Sequence, residues 1–426
     1  MRAHPTRTGL DGQSAVTRMS PRQLEEPLGR NAALTLLSLA MLLSMTTWFS
    51  ASAVLPQLRE QWNLTAGTSS LMTISVQVGF VIGSLASALL NLADVVSPRR
   101  LFLLGSLGAA LVNLALVLSP AVSVALGLRL LTGVCLALVY PTGLKAISMW
   151  FRRGRGMALG VMVGALTLGS ALPHLIEGFT VVNWRIVILV TSLLTVLGGL
   201  IAEFGVADGP LRFPSATFDP RQAPLAFSNR GVRLACLGYF GHMWELYAMW
   251  AWFAIFFADV LAARSFAEPR RGAAFATFAV IGIGAVGCLV GGILGDRWGR
   301  TRTTSLSMAI SGSCALLIGL TTLLPVQFVL AVGLLWGFAI IADSAQFSAI
   351  VTEVADQRYV GTAVTLQLAI GFSLTVLTIF LIPILRDHLS WVLAFALLAP
   401  GPFFGLLAML RLKSTRYAKM IAGGIG

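Results

Sequence analysis

The sequence predicts an all-α membrane protein with twelve transmembrane helices in two pseudo-symmetric six-helix bundles. Three observations carry this. Only 11% of the 426 residues are charged and 57% are hydrophobic. Soluble domains carry about 25% charged residues, so too few charges are present to cover a water-facing surface. Mean hydropathy is +0.84. Twelve apolar runs of membrane-crossing length follow one another, since a ~30 Å hydrocarbon core needs roughly 20 residues of helix. Finally, landmarks in the first half recur in the second at a nearly constant offset.

The runs read in order as 34–55, 69–90, 101–118, 122–149, 157–176 and 186–206, then 232–258, 273–294, 303–324, 328–351, 361–385 and 391–410. Proline, glycine, asparagine or charge clusters break them, as at Pro56, Asn91 and Pro98-Arg99-Arg100, where loop chemistry is expected. The runs are long and uniformly apolar, without two-residue alternation, which selects helices over barrel strands. This gives an N-terminal tail (1–31), a first bundle (32–207), a linker (208–230), a second bundle (231–411) and a C-terminal tail (412–426). The linker holds Pro210, Pro214, Pro220 and Pro224. The N-terminal tail is polar and bears arginine. Asp11, Glu25 and Glu26 argue against an organelle transit peptide.

The net charge of +13 suits nucleic acid in the abstract, but its placement points to topology. Twenty-two of the thirty Lys and Arg residues fall on the tails and even-numbered loops, and six on the opposite side. This bias places both termini in the cytoplasm of a multi-pass plasma (inner) membrane protein. The four cysteines lie in separate spans, so neither a disulfide framework nor a metal site is suggested. No cofactor, metal ion or catalytic residue is assigned. The expected partners are a small-molecule substrate, protons and membrane lipid, with no nucleic acid and a monomeric state.

Four matches carry the repeat. Leu130-Leu131-Thr132-Gly133 pairs with Leu334-Leu335-Trp336-Gly337, Asp94 with Asp296, Gly156 with Gly361, and Trp184 with Trp391, at offsets of 202–207 residues. Parallel halves of this kind imply a pseudo-twofold axis along the membrane normal.

The loop Gly292-Ile293-Leu294-Gly295-Asp296-Arg297-Trp298-Gly299-Arg300-Thr301-Arg302 is dense in cations and glycine. It resembles the loop signature of the major facilitator superfamily, G-x-L-x-D-R-x-G-R-x-R. The resemblance implies a secondary transporter with a central cavity, whose halves rock to expose it to each side in turn. It also implies a conformational latch. Gly292, Gly295 and Gly299 allow close approach, Arg297, Arg300 and Arg302 supply the cations, and Asp296 faces the start of span five near Gly156-Met157. Plain cytoplasmic anchoring by the arginines is the alternative. The first-half copy keeps Leu92, Asp94 and Arg100, and Asp94 is expected to cap span eleven at Gly361-Thr362. Span five is rich in glycine like the family's antiporter signature, but Pro173 stands four residues after Gly169, so antiport is not supported.

Charges inside spans are costly and mark function by default. Arg129 sits in an Arg-x-x-x-Gly setting that resembles the family's proton-coupling arginine. The alternative is a structural arginine reaching the outer surface. Glu245 and His242 lie one turn apart in span seven and are read as proton-coupling groups, with Lys145 a possible static partner for Glu245. Asp343 and Gln346 fall on one face of span ten and are read as cavity lining, the alternative being interhelical packing; Asp343 is also counted with Glu245, His242 and Arg129 among the proton-coupling candidates. Arg129, Lys145, Tyr140, Tyr247, Trp250, Asp343 and Gln346 form the candidate substrate-binding set.

No G-x-x-x-x-G-K-[ST] motif is present, so an ion or solute gradient is the expected driving force. The reading is a non-enzymatic secondary active transporter, proton-coupled, for a small organic anion attracted by Arg129 and Lys145. The nitrate porters of the family grip their anion with an arginine from each of spans two and eight, and these runs contain none. Efflux of hydrophobic or cationic compounds is the rival, suited by the aromatic span seven and by Glu245 and Asp343. A transporter-like sensor without turnover is the third.

Overall fold

The computed structural model describes residues 29–119, 121–151, 154–180, 183–211 and 218–426. Most of the N-terminal tail (1–28) and Pro214 of the linker lie outside the described residues.

Ten helices are long and apolar enough to cross a membrane. They are α2 (Ala66–Leu89), α3 (Pro98–Leu118), α4 (Val122–Ser148), α5 (Arg155–Phe179), α6 (Trp184–Phe204), α7 (Arg230–Ala262), α8 (Pro269–Trp298), α10 (Val326–Val354), α11 (Val360–His388) and α12 (Trp391–Lys413). Two further segments complete twelve: α1 (Arg30–Ser44) and α9 (Arg300–Leu317). The expected single span at 34–55 is broken. After α1 the chain tightens into a 3₁₀ turn at Met45–Thr47 and restarts at Ser50–Ala53. Its serines and threonines cause this. Thr46, Thr47 and Ser50 hydroxyls all donate to carbonyls three residues back, which loosens the helical ladder.

The repeat seen in sequence is a repeat in packing. A methyl group added at Gly133 of α4 would stand 2.1 Å from the carbonyl oxygen of Val76 in α2. One added at Gly337 of α10 would stand 1.7 Å from that of Val280 in α8. These are backbone-to-backbone crossings that only glycine permits. The tryptophans that open α6 and α12 also match. Trp184 donates its indole N–H to Gln61, and Trp391 donates to Asp259. Both α4 and α10 break at the corresponding place, α4 at Ala137–Val139 and α10 at Asp343.

The halves meet along a seam where α2 packs on α11 and α5 on α8. α7 is the most buried span, with 72% of its apolar window enclosed, so its aromatic residues form protein core rather than a lipid-facing stripe. The linker contains a short helix, Ala223–Ser228. The C-terminal tail folds back in a 3₁₀ segment, Arg416–Gly424, that buries Ile421 and donates the Ala422 N–H to Glu353. Below, the face where α1 begins and α12 ends is the tail face, and the opposite one is the far face.

Candidate functional site

The centre of the seam is an aromatic layer. Trp48 and Phe49, at the break after α1, meet Tyr247 and Trp250 of α7. Phe80 of α2 packs at a tilt 4.5 Å from Phe372 of α11 and 4.9 Å from Trp48, with Tyr140 6.4 Å away. Residues from both halves therefore interleave where an open central cavity was expected. The layer carries unpaired polar atoms. Trp48 Nε1, Trp250 Nε1, both amide atoms of Gln77 and both of Gln367 are buried without a hydrogen-bond partner among the described residues. Buried polar groups are rarely left so. Thr73, Gln77 and Phe80 form one stripe of α2, with Thr73 bonded to Ser52 at 2.7 Å, so Gln77 belongs to the same seam.

Behind this layer lie the acids of the second half. His242 Nδ1 stands 2.9 Å from Asp343 Oδ1, with the two side chains 1% and 2% exposed. Asp343 is the residue at which α10 breaks, so the break places a carboxylate deep in the membrane interior. His242 Nε2 has no hydrogen-bond partner among the described residues. Glu245 takes a different environment. Its Oε2 accepts the Ser311 hydroxyl at 2.9 Å, and its Oε1 accepts the Trp336 indole N–H at 2.5 Å. His242 and Glu245 share a helix face but not a partner.

Arg129 is fully buried and does not reach an outer surface. Its guanidinium donates to the carbonyls of Thr47 (3.0 Å), Trp48 (2.5 Å) and Met72 (3.4 Å), to Ser50 Oγ and to Asn113 Oδ1. The helix breaks there, so the carbonyls of Thr47 and Trp48 carry the negative end of its dipole, the Thr47 carbonyl accepting the Ser50 hydroxyl as well. Arg129 thus caps the break and fixes the backbone that aims Trp48 at the seam.

At the tail face the glycine-rich loop meets the first half. A methyl group at Gly156, in the first turn of α5, would lie 2.5 and 2.7 Å from the two carboxylate oxygens of Asp296. The carboxylate therefore sits on the N-terminus of α5, where the exposed N–H groups attract an anion. Arg300 organises the rest. It bonds Gln346 Oε1 at 2.6 Å, Glu353 at 3.2 Å and Asp296 at 3.2 Å. Gly299 turns the chain at φ +106°, and Gly295 leaves room for the Gln346 amide. Arg297 and Arg302 are exposed and suit the anchoring role.

The far face holds a cavity of about 380 Å³ between the halves. Arg270 of α8 bridges it by pairing with Glu60 of the first half, Nη1 standing 3.3 Å from Oε2. That hydrogen bond, and then the arginine's charge, hold the Glu60 carboxyl below the ordinary glutamate range. A depressed carboxylate keeps its pair above its lowered value and loses it as pH falls through that value. The distance between the halves at this face, read between spin labels placed on α2 and α8, is therefore expected to stay flat from pH 8 to about 5 and to rise below about 4. A rise already near pH 6 would contradict the assignment.

Several expectations change with these contacts. Lys145 is held by Asp94 Oδ1 at 2.5 Å and by the Ala93 carbonyl at 2.6 Å. It neither pairs with Glu245 nor faces the seam. Asp94 accordingly does not cap α11; Thr362 there bonds Asp219 of the linker instead. Gln346 serves the tail-face network and does not line a cavity. Trp244 donates to the Leu397 carbonyl in α12, away from the seam. Sequence reasoning also missed residues. Glu177, 4% exposed, fell just past the predicted end of span five, and it lies against Gln57 and Arg270. Glu353 stands seven residues after Gln346, on the same helix face, and that spacing was the available signal.

A membrane-embedded bundle of two repeated six-helix halves, with titratable groups buried behind the seam and a polar contact between the halves at one end, has the build of a secondary transporter. The sequence matches the Major Facilitator Superfamily over residues 37–377, and the chain belongs to that family. No curated protein matches it individually. Among solved structures it is similar to a bacterial homologue of the human lysosomal transporter Spinster, in an inward-facing and unoccupied conformation. The TM-score is 0.64 at 14% identity, covering 91% of this chain and 95% of that one. At that identity the likeness speaks for the fold alone.

Proposed function

We propose that this transporter works by alternating access and is coupled to protons through the His242–Asp343 pair, with Glu245 as a second buried carboxylate. The tails lie in the cytoplasm of the plasma membrane, and the tail-face latch through Asp296 closes the cytoplasmic side. The pair itself carries the reading: a histidine and an aspartate 2.9 Å apart, nearly unexposed, at a helix break beside the seam. A proton on the pair changes a buried charge, which is costly in low dielectric. Movement of the halves that rehydrates the pair therefore couples to proton binding.

The substrate reading moves away from a small organic anion. Both cations that motivated it, Arg129 and Lys145, are occupied within the first half. The interleaved aromatics of the seam, Trp48, Tyr247, Trp250 and Phe372, favour a solute with an aromatic or apolar body. The nearby acids favour a positive group on it.

Proteoliposomes test this with labelled tryptamine and L-tryptophan under an imposed pH gradient. Wild type is expected to accumulate at least one of them. Asp343→Asn is expected to lose gradient-driven accumulation, by about 100-fold or more, while retaining downhill exchange. Undiminished accumulation by Asp343→Asn would overturn the coupling assignment. Binding without any flux would instead favour a sensor.

A further inference from the structure

The far-face cavity has a chemistry of its own, separate from the seam. We infer that it is a binding site for zwitterionic solutes with an apolar or aromatic body, the anionic end held by Arg59 and the cationic end by Asp259 and Asp387. The inference rests on the transport reading above and adds the substrate's charge pattern.

The volume, about 380 Å³, falls within the range of small-molecule pockets. Three cations and three acids line it: Arg59, Arg270, Arg386, Glu60, Asp259 and Asp387. A lining of net zero charge disfavours a ligand of either sign alone, because one set of groups would be left uncompensated. Their pairing shows where each end goes. Arg270 is committed to Glu60. Arg386 holds Asp259 through Oδ2 at 2.7 Å and Asp387 through Oδ1 at 3.0 Å, and Trp391 donates to the same Asp259 oxygen. Two carboxylates thus share one guanidinium, and the other oxygen of each remains to accept a donor. Arg59 is exposed and makes no ion pair among the described residues. Five N–H donors are therefore free on the first-half side. Beside it the Ser69 hydroxyl, 2% exposed, lines the cavity without a hydrogen-bond partner.

The body of the ligand has apolar walls to meet. Trp252 and Trp391 stand on the second-half side, and Leu55 and Pro56 on the first. Trp252 is fixed by its bond to the Ile379 carbonyl at 2.9 Å, so its ring is preorganised. The anion-accepting groups belong to the first half and the cation-accepting groups to the second. A zwitterion therefore spans the halves and favours their approach at this face, which neither a simple anion nor a simple cation does.

Three indole probes test this by equilibrium dialysis with the full chain in nanodiscs, without a gradient: L-tryptophan, tryptamine and indole-3-propionate. L-Tryptophan is expected to bind at least about tenfold tighter than either single-charge probe. Arg59→Gln should weaken L-tryptophan about tenfold and leave tryptamine unchanged. Asp387→Asn should weaken L-tryptophan and tryptamine and leave indole-3-propionate unchanged. Equal binding of the three probes, no binding of any, or an undiminished L-tryptophan preference in Arg59→Gln each overturns the site. Asp343→Asn should keep the whole order of affinities. Preserved order together with gradient-independent flux in wild type would therefore refute proton coupling and leave this site standing.

Discussion

Arg129→Leu is expected to lower stability by about 1–3 kcal/mol, the largest loss of any single substitution considered. The cost does not come from a lost ion pair, because no carboxylate touches the guanidinium. It comes from what the substitution leaves behind. The Trp48 carbonyl loses its donor inside the membrane interior, and a buried unsatisfied group costs about 1–3 kcal/mol; the Thr47 carbonyl keeps the Ser50 hydroxyl, and Met72 keeps its place in the α2 helix. Leucine also has no means to hold the break after α1, so Trp48 is released from its place against Phe80 and Tyr247. Arg129→Lys should recover only part of the loss, since one ammonium cannot replicate a planar fork with five donors. The midpoint of thermal unfolding in detergent, read with folded yield, checks this. A melting temperature within 2 °C of wild type for Arg129→Leu would mean that the break holds without it.

Asp296→Ala is expected to open the tail face. Its carboxylate rests on the N-terminus of α5, a contact worth about 0.3–2 kcal/mol depending on burial. Removing it should raise the open population roughly two- to thirtyfold. Arg300 would keep Glu353 and Gln346, so the loop itself should stay folded. Gly156→Val offers an independent route to the same state, because its side chain would enter the space of the carboxylate. Cys288 reports on both. It is buried against Gly160 of α5 at the crossing with α8. In a background lacking Cys135, Cys236 and Cys314, its labelling by a thiol reagent should accelerate in each variant. Unchanged labelling in both would reduce the loop to an anchor, with Arg297 and Arg302 as its working residues.

These two residues also mark how much of the site could be read in advance. The Asp296 contact with α5 followed from a local motif and the repeat, because both groups sit at helix ends that sequence periodicity defines. Arg129 was legible as a costly charge in a span, but not as the cap of a broken helix. The break itself depends on Ser and Thr back-bonding, which hydropathy does not register. Lys145 shows the same limit. An apolar window counts it as buried, whereas its long side chain reaches the tail-face end of the neighbouring segment and finds Asp94.

The sequence by itself determined the membrane-spanning class, the twelve segments and the twofold repeat. These follow from composition, run length and offset, which are properties of the chain taken along its length. Only the tertiary structure decided which buried charges meet: His242 with Asp343, Glu245 with Ser311 and Trp336, Arg129 with three carbonyls. It also decided that a cavity lies between the halves at the far face. The physical reason is that a helix fixes neighbours three and four residues apart, while the partner of an inward-facing side chain is set by which helix packs opposite and where that helix breaks. Glu60 and Arg270 lie 210 residues apart in sequence, and no local pattern joins them.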